Sequence, residues 1–595
     1  MNTSSVRIGG ASGFWGETAL STPQLVHHGE LDFIVYDYLA EITLSIMARA
    51  RAADEQAGYA TDFVTTVLAS NLRDIAALGI RIISNAGGVN PQAAATATRA
   101  LIDQLGLSLT VAVVTGDDLI DQIDRFADAT EMFTGDAFPA AERVASINAY
   151  LGAFPIAHAL DQGADIVITG RCVDSAVTLG ACIHHFGWQE DDFDRLAAGS
   201  IAGHLLECGP QATGGNFTDW LAIADSMHDI GYPIAEVAAD GSFTISKPPG
   251  TGGVVSIGTV AEQLLYEVGD PQGYELPDVI CDFSAARIDA TDRDVVAVSG
   301  IRGRPPGDQY KVSATYMDGF RGGQTLLFYG EAADRKARLF AEGVLRRTRA
   351  LLAQQGLADY ADVLVELTGN EHHYGDFRAV DGAREVQLKL AVRHTSKSAV
   401  GMLLRETIGA ALSGPPGLTG FAGTRPRPSP VIRLYSFLTE KKAVNISVSI
   451  GDNTQTIRPA QFTSVPATPI SPPLPPDEDT HTTTVPLIDL AWARSGDKGD
   501  KANIGVIARR AEYLPYIWQA LHPDVVADRF AHFTSRPVDR YFLPGIAALN
   551  FVLHDVLGGG GVASLRNDPQ GKGYAQLLLA APIEIPLQMA RELSA

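Results

Sequence analysis

Five short apolar runs in the first 175 residues each stop at a glycine or a small polar residue, and this repetition limits the fold more than any other feature. The clearest is Ile166-Val167-Ile168, bounded by Asp165 and Gly170 and followed by Arg171-Cys172-Val173-Asp174-Ser175. A β-branched run so bounded reads as a strand buried on both faces. Similar runs lie at 6–9, 31–36, 80–83 and 109–115. Helical patterns are expected at 41–51, 61–78, from Pro91 onward and at 142–160. Strands and helices alternating at this spacing predict a parallel α/β sheet with right-handed crossovers over residues 1–235. Ligands of such sheets bind outside the carboxyl ends of the strands.

The pattern then changes. Residues 236–455 read as α+β, with strands at 241–247, 279–290, 295–299, 363–367 and 385–392. Two further strands, 310–316 and 325–329, flank a turn marked by Asp318-Gly319 and Gly322-Gly323. Helices are expected at 255–266, 331–355 and 399–412, and a hairpin at 431–438 and 443–450. Seven prolines between Pro459 and Pro476 mark residues 456–485 as an extended linker. Residues 486–595 form a small α+β unit. Its strands are expected at 487–492, 504–508 and 562–565, with helices at 513–521, 545–557 and from 573. A chain of 595 residues exceeds what one core supports, in keeping with more than one domain.

Charge narrows the function. With 46 Lys+Arg against 69 Asp+Glu, the net charge of −23 argues against nucleic acid or an anionic membrane surface as partner. No apolar signal segment opens the sequence, and no run approaches the ~18 apolar residues of a membrane span. The four cysteines, Cys172, Cys182, Cys208 and Cys281, form no Cys-x-x-Cys pair, so free thiols in the cytoplasm are expected.

The strand ends carry the candidate chemistry. Asp37 and Asp174 are candidate acid and base groups. Arg171 offers a guanidinium fork for a substrate carboxylate or thioester, or else pairs with Asp174 to hold a loop. Ser12 and Gly13, in Gly10-Ala11-Ser12-Gly13-Phe14-Trp15-Gly16, join Asn85, Gly87 and Thr169 as candidate substrate contacts. The glycine spacing is neither the dinucleotide fingerprint nor a nucleophile elbow, and there is no P-loop. No tightly bound NAD, flavin or nucleotide is therefore expected.

Gly252 and Gly253, ahead of an expected helix, are candidates for a phosphate cradle. Asp497, Lys498, Lys501 and Asn503, in an expected loop between two strands, suit an anionic ligand or a docking surface. Adjacent histidine pairs point different ways and make no metal site. A hard-cation site from Asp37, Asp117, Asp118 and Asp174 is the alternative at the strand ends.

Longer stretches resemble a known family. They are Ala164 to Arg171, Gly250-Thr251-Gly252-Gly253, Glu262-Gln263-Leu264-Leu265-Tyr266-Glu267, Tyr310-Lys311-Val312, Trp492 to Gly499, Leu543-Pro544-Gly545, and Gly558 to Gly561 with Ser564-Leu565-Arg566. Together they resemble the acyclic terpene utilisation (AtuA-type) family over nearly the whole chain. The resemblance implies a large N-terminal domain over 1–455 and a C-terminal ferredoxin-like domain over 486–595. It also implies catabolism of citronellol- and geraniol-like compounds through branched acyl-CoA intermediates, with coenzyme A entering as part of the substrate. It assigns no catalytic residue. Two readings remain: a homo-oligomeric lyase or hydratase acting on a branched acyl-CoA or acid, or a non-catalytic binding or assembly subunit for a partner acyl-CoA enzyme.

Overall fold

The computed structural model describes residues 5–420, 426–476, 481–561 and 563–593. Its centre is a sheet of parallel strands: β1 (Ser5–Gly10), β2 (Phe33–Tyr36), β3 (Arg81–Ser84), β4 (Val111–Thr115) and, later in the chain, β6 (Ile166–Thr169). Their spatial order is β1-β2-β3-β6-β4, all parallel. The chain steps outward through four strands, and β6 returns between β3 and β4. Both faces are covered. Ile34, Tyr36, Ile82, Val113, Ile166 and Ile168 pack into one core, and their neighbours Phe33, Val35, Ile83, Ala112 and Val167 into the other. This two-sided burial is why the runs are continuously apolar rather than alternating.

The later part of the chain does not stand apart from this sheet. Antiparallel strands Ile234–Ala238, Phe243–Ser246, Val295–Ser299 and Arg287–Asp292 extend it beyond β1, and Ile446–Ile450 with Asn453–Ile457 extend it beyond β4, giving eleven strands. The sheet is therefore mixed, parallel at its centre and antiparallel at both edges.

A second sheet is organised by one strand of 21 residues, Gln309–Tyr329. The expected turn at Asp318-Gly319 is instead a bulge, with Gly319 at φ +78° and a register shift between Met317 and Phe320. Asp318 sits in the bulge and takes Arg143, Arg393 and Arg433 at 2.9, 3.1 and 2.6 Å. Three guanidiniums on one carboxylate hold the strand together where a turn was expected.

Pairing also overrides helical pattern at β5 (Val144–Ala149), inside the helix expected at 142–160. β5 lies against residues 312–316 of the long strand, and helix Phe154–Asp161 begins only after Gly152. The expected 431–450 hairpin does not form. Ser429–Glu440 pairs with the long strand, whereas Ile446–Ile450 pairs with β4. The expected strand at 279–290 divides into Ile280–Asp282 and Arg287–Asp292.

The C-terminal unit is a four-stranded antiparallel sheet, ordered Ala491–Lys498, Lys501–Ala508, Ala548–Leu553, Val538–Leu543, with helices Leu514–Ala520, Pro523–Arg529 and Tyr574–Leu579. Residues 495–501, expected as a loop, are mostly strand, closed by a tight turn at Gly499-Asp500. The helix expected at 545–557 is strand Ala548–Leu553. Its short apolar run is compatible with either state until neighbours on both edges settle it. The strand expected at 562–565 begins at a residue outside those described, and the rest forms no strand.

Polar ties join the two units. Asn503 accepts from the Glu267 N–H at 2.9 Å and donates to Leu265 O at 2.6 Å and to Asn550 Oδ1 at 2.8 Å. Asn550, wholly buried, donates to Val268 O at 2.8 Å and Gly269 O at 2.6 Å. Trp492 and Arg509 both bind Asp219 at 2.7 Å. The proline-rich stretch lies along the surface as a strap. Val465 O accepts from Arg304, and Thr468 O accepts from Gln272 at 2.9 Å.

The ties have two measurable consequences. A protease cut within 459–476 should leave both fragments co-eluting on size exclusion, because the Asn503, Asn550 and Trp492 contacts do not pass through the strap. Asn550→Ala, which removes the donor to the buried Val268 carbonyl and the acceptor for Asn503 Nδ2, should destabilise the chain by roughly 2–4 kcal/mol in urea unfolding.

A third prediction concerns Asp117, which is 2% exposed and just beyond β4. It accepts from the Arg171 N–H at 2.7 Å and from Asn148 Nδ2 at 3.0 Å. Burial pushes its carboxyl up to about 7 despite these donors. The folded state thus holds this proton more tightly than the unfolded state does. The stability Asp117 contributes is full below its ordinary value of 3.8 and is lost as pH rises through about 7. Asp117→Asn keeps an acceptor but cannot titrate. The Tm of that variant should fall less between pH 5 and pH 8 than the parent's.

Candidate functional site

The parallel strands end together, and each delivers a different group. β1 runs into the Gly10–Gly16 loop, β2 into Asp37, β3 into Asn85, β4 into Asp117 and β6 into Arg171 and Asp174. The glycine loop holds backbone rather than an anion. A Cβ on Gly10 would lie 2.7 Å from Leu206 O, and one on Gly13 would lie 2.9 Å from the backbone of Glu207 and Cys208. Residues 206–208, just past helix Phe193–Leu206, cross directly over the loop. Ser12 is buried and donates to Asp37 O at 3.0 Å. The close approach lets Glu207 reach the strand ends.

Asp37 is 7% exposed and takes a short hydrogen bond from Asn85 Nδ2. Asn85 Oδ1 in turn accepts from the Tyr38 N–H at 2.7 Å. Burial pushes the Asp37 carboxyl well above the usual carboxylate range, the charge of Asp174 pushes it further, and Arg171 and Asn85 oppose. The Arg171 guanidinium is 3% exposed and lies 4.2 Å above the Tyr150 ring, which also receives Lys311 Nζ at 4.7 Å. Arg171 donates to Cys172 O at 2.9 Å and to Asp174. Arg171 is therefore interior. Its partner Asp174, with a side chain 34% exposed, reaches solvent.

Glu207 completes the cluster. It bonds His204 Nδ1 at 2.8 Å, and burial raises its carboxyl, with His204 opposing, Asp174 adding and Lys498 opposing. Lys498 belongs to the C-terminal unit, and its charge acts on Glu207 across the domain boundary. Beside it, Lys572 bridges Glu267 at 2.8 Å and Asp497 at 3.2 Å. Burial raises Glu267, but Lys572 and Lys498 outweigh it and hold the carboxyl below its usual range. Cys172 is no nucleophile, since burial pushes its thiol up to about 12.

The expected residues thus separate. Asp37, Asn85, Arg171 and Asp174 come together, and Lys498 reaches the cluster only through its charge on Glu207. Gly87 and Thr169 lie at the same edge but serve packing. A Cβ on Gly87 would meet Thr169 O at 2.4 Å, and the Thr169 hydroxyl donates to Gly170 O at 2.8 Å. Gly252 and Gly253 face chain rather than an opening, because Cβ atoms there would lie 2.2 Å from Ser226 O and 2.4 Å from Thr213 O. Asn503 is spent on the domain tie, and Lys501 lies 4.6 Å over the Phe133 ring. The four strand-end aspartates do not converge. Asp118 pairs with Arg51 at 2.7 Å and Asp117 with backbone, and no group of three or more metal-binding side chains forms among the described residues.

Tyr150, His204, Glu207, Glu267 and Lys572 escape sequence reading. His204 and Glu207 do stand three apart at a helix end, a spacing that puts side chains on one face. Tyr150 is hidden within the segment expected as helix.

Comparison with known proteins agrees with this architecture. The description "Acyclic terpene utilisation family protein AtuA" matches residues 6–450, and "AtuA ferredoxin-like domain" matches residues 485–584. No curated protein and no solved structure matches the chain. Among the described residues, no helix is long and apolar enough to cross a membrane. With the large mixed sheet in the first match and the four-stranded antiparallel unit in the second, the chain belongs to the acyclic terpene utilisation family.

Proposed function

We propose that the strand-end cluster catalyses a lyase- or hydratase-type step on a branched, terpenoid carboxylic acid carried as an acyl-CoA thioester. The observation that carries this is the pair Asp37 and Asp174. One carboxyl is buried and held towards its protonated form, and the other is half-exposed and paired with a guanidinium. A buried carboxyl held towards protonation and a more exposed, guanidinium-paired one can serve as acid and base in a single addition or elimination. Asp37 would donate a proton as Asp174 removes one. Arg171 acts as a positioning residue for Asp174, and its stacking on Tyr150 fixes the direction of the fork. Exposed apolar residues lie just beyond two of the strand ends, Phe14 after β1 and Ile42 after β2, and suit a branched hydrocarbon. The hairpin proposed for docking a partner enzyme is instead turned on its own N-terminal domain through Asn503, Lys501 and Lys572. This favours the catalytic reading over an assembly role.

The test is hydration of branched 2-enoyl thioesters, monitored by loss of enoyl absorbance. Asp37→Asn and Asp174→Asn should each lower kcat by about 10²- to 10⁴-fold with KM little changed. Unchanged rates in both would end this reading. Activity should fall as pH rises through the raised Asp37 value, and the pH dependence on that limb should vanish in Asp37→Asn. Arg171→Lys should lower Tm as well as kcat, because an ammonium cannot keep both the Asp174 contact and the flat seat on Tyr150.

A further inference from the structure

A second feature sits between the two domains. The outer half of the long strand, the strand Glu385–His394 beside it and residues 564–570 enclose a cleft of about 540 Å³. Arg321, Lys389, Arg427 and Arg566 line it, and among the described residues none of those lining it is acidic. In a chain of net charge −23 this is a local reversal of sign. The rest of the wall is hydrogen-bonding or bare backbone, including Gln324, Ser429 and Asn567 with Gly322 and Gly323.

The cations are held in place by neutral groups. Arg321 Nη1 donates to Ser564 O at 2.7 Å, and Lys389 Nζ donates to Arg566 O at 2.9 Å. Arg566 itself bonds Val556 O, the Tyr574 hydroxyl at 3.2 Å and Phe533 O at 3.2 Å. Burial pulls Arg321 and Lys389 below their usual values, with Glu366 partly offsetting it at Lys389. Half-buried cations fixed by carbonyls and facing a roomy polar cleft are the setting in which an anion relieves the cost of burial. Bare glycine backbone on the same wall permits close approach of a bulky anion.

We infer that this interdomain cleft binds the phosphate groups of an organic phosphate ester, Lys389 and Arg427 supplying charge and Arg321 the fork. The inference rests on the cleft's own residues and not on the acid–base reading. The two sites are nonetheless neighbours. Ile42 lines the cleft and lies five positions after Asp37, a Cα span of at most ~18 Å. Gln570, on the opposite wall, donates to Asp497 at 3.3 Å. A ligand with phosphates at one end of a long arm and a thioester at the other would reach both.

Isothermal titration of the full chain with coenzyme A, ADP and inorganic pyrophosphate tests this. At least one should bind the parent chain, more weakly as salt is raised. Lys389→Gln and Arg427→Gln should each weaken it about tenfold. Arg427 is exposed, so its replacement should leave Tm unchanged and exclude misfolding as the cause. Binding of coenzyme A but not ADP identifies a thioester carrier, and the reverse identifies a nucleotide. Absence of binding by all three, or binding undiminished in both variants, overturns the inference. A phosphate-free N-acetylcysteamine thioester separates this from the proposed reaction. Its turnover should need Asp37 and Asp174 whether or not the cleft binds phosphate.

Discussion

The central sheet is covered on both faces, so its polar chemistry can gather only where the strands stop. That constraint governs the rest of the molecule. Side chains that leave the sheet at its carboxyl edge enter a region already desolvated by the helices above and below, and a carboxylate there must find donors or a proton. Asp117 finds the Arg171 N–H, which it can approach only because Gly170 has no side chain. A Cβ at Gly170 would lie 2.2 Å from the Asp117 carboxylate. Asp37 finds Asn85 and is pushed towards protonation. The same edge also gathers Asp174 and Glu207, and the Asp174 charge pushes the Asp37 and Glu207 carboxyls upward.

Much of this could be read in the sequence, and for one reason. Strands buried on both faces are written as uninterrupted β-branched runs, and the residues just past each run lie by construction at the strand end. Asp37, Asn85, Arg171 and Asp174 could be placed together on that basis alone. The groups that come to meet them could not be read. Glu207 arrives because a helix end crosses two glycines, a contact between residues nearly 200 apart. Those glycines suggested a substrate contact, yet glycine serves equally well for any close neighbour, and here the neighbour is the chain itself. The same ambiguity misplaced Gly252 and Gly253.

Errors in the elements have a common origin. Asp318-Gly319 is a sound local signal for a turn, but three arginines contributed by other segments neutralise Asp318 and keep the strand running. Residues 144–149 and 548–553 are short enough to suit either helix or strand, and only a partner across the sheet decides them. Local propensity fails where long-range pairing supplies the larger energy. The C-terminal unit shows the complementary case. Asn503 reads as a polar residue awaiting a ligand, whereas it saturates the backbone of the N-terminal domain.

The strand Gln309–Tyr329 links the two regions of opposite charge. Near its start, Lys311 lies over the Tyr150 ring that also seats Arg171, and beyond the bulge Arg321 faces the interdomain cleft. At about 3.3 Å per residue the ten intervening steps span roughly 33 Å, with the bulge as the joint between two stiff segments. The C-terminal domain grips Arg321 through Ser564, so it is tied to the same strand that passes beneath Tyr150. The strand-end cluster and the cleft are mounted on one beam, with three arginines clasping Asp318 at its joint.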